Sequence, residues 1–176
     1  GDFSWSKIQK EIDNNQYLIK AKDNRYTTLY GLNRELDTIR LVDRSKDKLE
    51  RIASAATVSK ILKEEGLNEG QYNAVVAAAT TKDKYIAWQG KAGAGKTFAL
   101  DKYKKIAEAK GYTVRGFAPS ASAAKTLSDE LGIEAHTVAK KLVSSKLKGY
   151  KEIWIVDEAG LLSAAEAYQL IKKAES

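Results

Sequence analysis

Apolar and polar positions alternate along the chain with two different periods. Near the start, Trp5, Ile8 and Ile12 share one face of a short amphipathic helix. Residues 16–21 read as a brief strand. Thr27 or Thr28 is placed to cap a helix that runs to about residue 43, with Leu29, Leu32, Leu36, Ile39 and Val42 on one stripe. Residues 52–65 carry one or two further helices, and Gly66 suits the position just past a helix end. Residues 1–66 are therefore expected to be mostly helical. They hold no catalytic constellation.

The texture changes at Leu67. Asn68 is a good N-cap for a helix over 69–79. Tyr85, Ile86, Ala87 and Trp88 form an apolar run of the length of a buried strand. A glycine-rich loop follows, then a helix over about 96–110 that Gly111 ends. Residues 112–118 predict a strand, 120–131 a helix and 136–142 a short helix. Residues 153–156 predict an apolar strand and 163–173 a helix. Strands alternating with helices imply α/β architecture, with a parallel sheet covered on both faces.

Composition narrows the class. The 176 residues are 43% hydrophobic and 30% charged, as in a soluble globular chain. No apolar run approaches the ~20 residues of a membrane span. No secretory leader pattern opens the chain. The absence of cysteine removes disulfides and thiolate metal sites, and a reducing, cytoplasmic setting is expected. With no methionine and a glycine at position 1, the chain reads as a piece of a longer protein. The net charge of +7 suits a polyanionic partner. Residues 1–66 have 13 basic against 11 acidic residues, and residues 67–176 have 17 against 12. Lys140, Lys141, Lys146, Lys148 and Lys151 fall in an acid-free stretch that is either a solvated face or a phosphate-facing patch.

Residues 90–97 read GKAGAGKT. Glycines let the backbone curl until several N–H groups face one phosphate chain, and the following helix adds its positive end. The spacing of Gly90, Gly95, Lys96 and Thr97 is that of a P-loop, with Ala92, Gly93, Ala94 and Phe98 completing the binding turn. Lys96 would reach the phosphates of ATP and Thr97 would ligate Mg²⁺. Such a match arises by chance in only roughly a few chains per thousand of this length. About sixty residues later the apolar run 153–156 delivers Asp157 and Glu158 to a strand end, where α/β sheets place ligands. Asp157 would hold the Mg²⁺ shell, and Glu158 would orient and deprotonate a water. Lys96, Asp157 and Glu158 are the catalytic candidates. The lone histidine, His136, offers no metal cluster and reads as structural. Trp88 and Trp154, on expected central strands, read as core.

Three further stretches complete a pattern: LNEGQ at 67–71, FAPS at 117–120 with the small-residue run to Leu127, and EAHTV at 134–138. In this order, with the loop and the acidic motif, the chain resembles the first RecA-like domain of a RecD-type superfamily-one helicase. It is most similar to the helicase region of conjugative relaxases of the TraI/TrwC (MobF) class. The resemblance covers about residues 60–176 and extends more weakly to 24–59. It implies a three-layer P-loop domain over 67–176, preceded by a helical subdomain or linker over 1–66. It implies that Gln71 reads adenine, an amide being able to pair with a donor and an acceptor. It implies single-stranded DNA contacts at Pro119, Ser120, Lys125 and Thr137. Ala139 stands where the family often has a histidine, and Ser122 where many relatives are basic.

The expected function is then the ATP-binding part of a DNA helicase acting on single-stranded plasmid DNA, partnered by the remaining domains of a relaxase-helicase. The only arginine after Arg51 is Arg115, on a predicted strand. Such motors aim an arginine at the γ-phosphate, and an arginine finger is worth about 10³–10⁵ in rate. The chain alone is therefore expected to bind nucleotide with little hydrolysis. Two other readings stay open: a non-enzymatic module that binds single-stranded DNA or docks partners, and another P-loop enzyme such as a small-molecule kinase.

Overall fold

A computed structural model describes residues 4–20, 22, 25–90, 93–144 and 151–175. Helix α1 (Trp5–Asp13) leads into an antiparallel hairpin of β1 (Leu18–Lys20) and β2 (Tyr26–Thr28). Sequence reading saw only the first of these strands. The Thr28 side chain accepts from Gly31 N and starts α2 (Leu29–Arg44). Ser54 caps α3 (Ala55–Leu62) in the same way. Helix α4 (Glu69–Thr80) opens with a capping box, in which the side chains and backbone amides of Asn68 and Gln71 pair reciprocally.

The glycine loop feeds α5 (Lys96–Ala109). Beyond it lie β3 (Thr113–Ala118), α6 (Ala121–Leu131), β4 (Glu134–Thr137), α7 (Val138–Val143), β5 (Glu152–Val156) and α8 (Ala164–Glu175), with a single 3₁₀ turn at Ala159–Leu161. The three later strands pair in parallel, in the order β4-β3-β5.

Both faces of this sheet are covered. Val114, Ile133 and Ile155 meet Ala107 of α5 and Leu127 and Leu131 of α6. On the opposite face Phe117 packs with Val138 of α7 and Leu170 of α8, flanked by Trp154 and Val156. Three layers of α/β type result, the partial P-loop NTPase architecture expected. At the centre of the sheet is Gly116, where a Cβ would lie 2.7 Å from Leu127 Cδ2 and 2.8 Å from Ala135 Cβ. Only hydrogen fits there, and α6 rests directly on the strand.

Two expectations need correction. Residues 85–88 form no strand, because the segment finds no ladder partner among the described residues. Side chains hold it instead. The Tyr85 hydroxyl donates to Glu175 at 2.6 Å and lies 3.1 Å from Ile171 O, while Trp88 packs near the Tyr103 ring. Burial pushes the pKa of Tyr103 up to about 12 and raises that of Tyr85 as well. His136 does not begin a helix. It pairs in register with Phe117 as part of β4, and α7 starts two residues later.

Packing continues across residue 66. Ala53, Val58 and Leu62 share one buried cluster with Val75, Ala79, Ala99, Tyr103 and Ile106. Helix α2 lies against α8, and the Arg34 guanidinium sits 4.4 Å from the Tyr168 ring centroid.

Candidate nucleotide site

Gly93 and Gly95 adopt φ of 77° and 70°, the left-handed region that glycine enters without strain. Gly95 is the residue before α5, and no side chain caps that helix. Gly95 itself offers α5 no side-chain acceptor, unlike Asn68, Ser120 and Thr137 at the starts of their helices. Lys96, the first residue of α5, folds back so that its ammonium donates to Gly90 O at 3.0 Å. These features fit a polyphosphate: backbone donors, a helix start without a competing cap, and a cation across the loop. Ala92 falls outside the described residues. Ala94 is exposed, as is Phe98, whose ring carries the Lys102 ammonium at 4.7 Å. Lys102 also pairs with Glu65, and that bond holds the Glu65 carboxyl below its usual range.

Gln71 reaches this loop from α4. Its Oε1 accepts from Asn68 N at 3.0 Å, and its Nε2 donates to Ala94 O at 3.1 Å and to Gly95 O at 3.3 Å. Both ends of the amide that the resemblance directs at adenine are thus engaged within the protein.

The acidic pair emerges where β5 ends. Asp157 N donates to Phe117 O at 2.9 Å, and its carboxylate accepts from Glu158 N at 2.9 Å. Glu158 has φ of 50°, an uncommon conformation for a residue with a side chain. Both acids are exposed. The Thr97 hydroxyl donates to Glu130 of α6 at 3.1 Å. Thr97 and Asp157 thus bond to separate partners, and among the described residues no hydrogen bond joins them. No group of three or more His, Cys, Asp or Glu is poised around a metal among the described residues. A divalent ion here would be completed by phosphate oxygens rather than by an all-protein cage.

The DNA candidates lie toward the same strand ends as Asp157. Pro119 and Ser120 directly follow β3, and Thr137 is paired with Ala118 at the end of β4. Ser120 and Thr137 are helix caps, accepting from Ala123 N and Lys140 N. Lys125 is exposed on the second turn of α6. Lys141 leaves the expected basic face. It is buried, 4.1 Å from the Trp154 ring centroid and 3.9 Å from Glu152, and burial pushes its pKa down. Lys146 and Lys148 lie outside the described residues.

Sequence reading missed a charged network on this face of the sheet. Arg115 bonds to Glu152 at 2.6 Å and also to Glu134, and the Glu152 bond is the main cause of its raised pKa. Trp154 Nε1 donates to the other oxygen of Glu152. His136 Nε2 meets Glu134 at 2.8 Å. That bond, with Arg115 after it, holds the Glu134 carboxyl below its usual range. The alternation of Glu134 and His136, and of Glu152 and Trp154, was the available signal. Glu130 had none, being one acid on an exposed helix face.

Fold and loop together define a P-loop nucleotide-binding α/β domain. The chain belongs to the AAA domain family, whose pattern matches residues 66–176. Family membership implies nucleotide binding. The chain is also 25% identical over 146 residues to the conjugal transfer protein TraA of Agrobacterium fabrum, covering 81% of this chain and 13% of that protein. It is 32% identical over 96 residues to the probable conjugal transfer protein TraA of Sinorhizobium fredii, covering 52% and 9%. A conjugal transfer protein TraA of Rhizobium radiobacter is 37% identical over 81 residues, covering 44% and 7%. The chain thus spans only a small part of the curated relatives it matches. Among the described residues no helix is long and apolar enough to cross a membrane.

Proposed function

We propose that this chain is the nucleotide-binding part of an ATP-driven helicase that moves along single-stranded DNA during conjugative transfer, coupled to the remaining domains of a relaxase-helicase. The observation that carries this reading is the loop itself: two left-handed glycines deliver Lys96 to the uncapped start of α5. The conjugal transfer relatives support the biological setting.

Bound Mg²⁺–ATP would supply the phosphoanhydride whose hydrolysis drives movement. The amides of residues 93–97 would bind phosphate oxygens, and Lys96 would balance their charge. The Thr97 hydroxyl gives its single proton to Glu130 and keeps oxygen lone pairs for a cation. Asp157 would hold the same cation, and Glu158 would take a proton from the attacking water. Pro119, Ser120, Lys125 and Thr137 would present the rim that meets DNA.

Titration with a fluorescent ATP analogue and Mg²⁺ tests the reading. Lys96→Ala should weaken binding roughly tenfold or more, the scale of a charge-assisted hydrogen bond. Absence of binding by the native chain, or equal binding by the variant, defeats it. A second reading, a module that binds single-stranded DNA without turnover, is favoured by the separate partners of Thr97 and Asp157. Phosphate release measured with and without single-stranded DNA separates the two.

A further inference from the structure

We infer that the open face of α2 is a seam on which a second copy of this chain pairs, helix to helix and in parallel. The inference is independent of the nucleotide-binding reading above.

The apolar stripe along α2 does not face the core. Leu29, Leu36 and Ile39 are 54%, 39% and 64% exposed, and Leu32 between them is only partly buried. The side of α2 that meets α8 is a different one. Arg34, whose guanidinium lies over the Tyr168 ring, is two residues from both Leu32 and Leu36, roughly 200° around the helix. Helix α2 therefore has one side against α8 and an apolar side left open. Tyr17 is also exposed and adjoins the start of the stripe, since its carbonyl accepts from Leu29 N at 3.3 Å. At the other end a groove beside Ile39 is lined by Thr38, Val42, Asp43 and Lys46. Contiguous apolar surface of this kind marks an interface.

Spacing and charge select the occupant. Positions 29, 32, 36 and 39 step by three and four residues, the a and d places of a helical seam. In that register Glu35 takes a g place and Arg40 an e place. In a parallel pair a g residue meets the e residue five positions on in the other helix, so Glu35 of each copy faces Arg40 of the other. The seam is thus its own complement, as a two-fold interface requires, and such an interface closes at two chains. Both side chains are exposed, and Arg40 commits Nη1 to Asp37 at 3.1 Å, leaving its other guanidinium donors for a carboxylate. An antiparallel pair would instead set Glu35 beside its own copy.

Sedimentation equilibrium of the native chain from about 10 μM to about 1 mM, alongside thermal unfolding, is the test. The native mass should rise with concentration toward that of two chains and stop there. Ile39→Glu should remain a single chain at every concentration. Its melting temperature at low concentration should match the native value, because the side chain is open to water in the single chain. Glu35→Arg should weaken pairing roughly threefold or more, the scale of two surface charge pairs. Adding Arg40→Glu to that variant should restore the native dissociation constant, since the exchanged charges again face their opposites. A native chain that stays single up to about 1 mM overturns the inference and leaves the stripe to a different helix. Pairing by Ile39→Glu at the native strength overturns it too, because another face would then be responsible. A double variant no tighter than Glu35→Arg alone rules out the parallel register, and a mass that climbs past two chains rules out the two-fold seam.

Discussion

At the scale of single residues, several charged side chains find partners across one face of the sheet. Arg115 is held by Glu134 and Glu152, Lys141 lies against Trp154, and His136 answers Glu134. The Glu134 carboxyl, held low by His136 first and Arg115 second, sets an acid limb to stability. A carboxylate whose folded pKa is depressed stabilises fully above its unfolded value, near 4.5, and loses that contribution as pH falls through the lower folded value. The melting temperature of the native chain should therefore exceed that of Glu134→Gln at pH 6, and the gap should close as pH drops below 4.5. A gap that stays constant from pH 6 to pH 3 would mean the carboxylate gains nothing from its partners. The Arg115 bonds were not legible beforehand, because parallel pairing, not sequence proximity, puts Arg115 between strands 19 and 37 residues away.

At the scale of elements, the chain announces its helices and conceals its strand neighbours. Thr28 and Asn68 start helices where cap chemistry predicts them, and Ser120 caps the helix expected over 120–131. Gly132, at φ 61°, ends α6 in the left-handed conformation that stops helices. The failures are pairing failures. Residues 85–88 have the right apolar run but no ladder partner, and Tyr26–Thr28 has a partner but little apolar pattern. Candidate site residues were legible to the extent that their spacing is local. The loop and the acidic pair could be read, whereas Glu130 and the inward bonds of Gln71 could not. The caps also complicate the proposed DNA rim. Ser120→Ala should cost about 1 kcal/mol of stability through loss of the Ala123 N bond, whether or not DNA is present. Ser120→Asp should restore the melting temperature while adding negative charge. If the serine hydroxyl only caps, Ser120→Asn should leave single-stranded DNA affinity at the native level, as read by fluorescence anisotropy.

At the scale of the whole molecule, the family match begins at residue 66, but the core begins earlier. Val58 and Leu62 are buried against α4 and α5, and each is worth about 1.5–3 kcal/mol on burial. Domain stabilities run to only about 5–15 kcal/mol, so these two side chains weigh heavily. A chain restricted to residues 67–176 is expected to lose cooperative unfolding, whereas one starting at residue 50 should keep it, as followed by near-ultraviolet dichroism during urea titration. Independent folding of 67–176 would instead establish residue 66 as a true domain boundary.

The missing carbon at Gly116 reaches further than its own strand. A Cβ there would meet the Leu127 side chain of α6 and the Cβ of Ala135 on β4, so a larger residue would press on the packing between helix and sheet. Ser120 and Lys125 belong to that helix and its cap, so a side chain at residue 116 would disturb the candidate rim through the packing of α6, without touching any ligand.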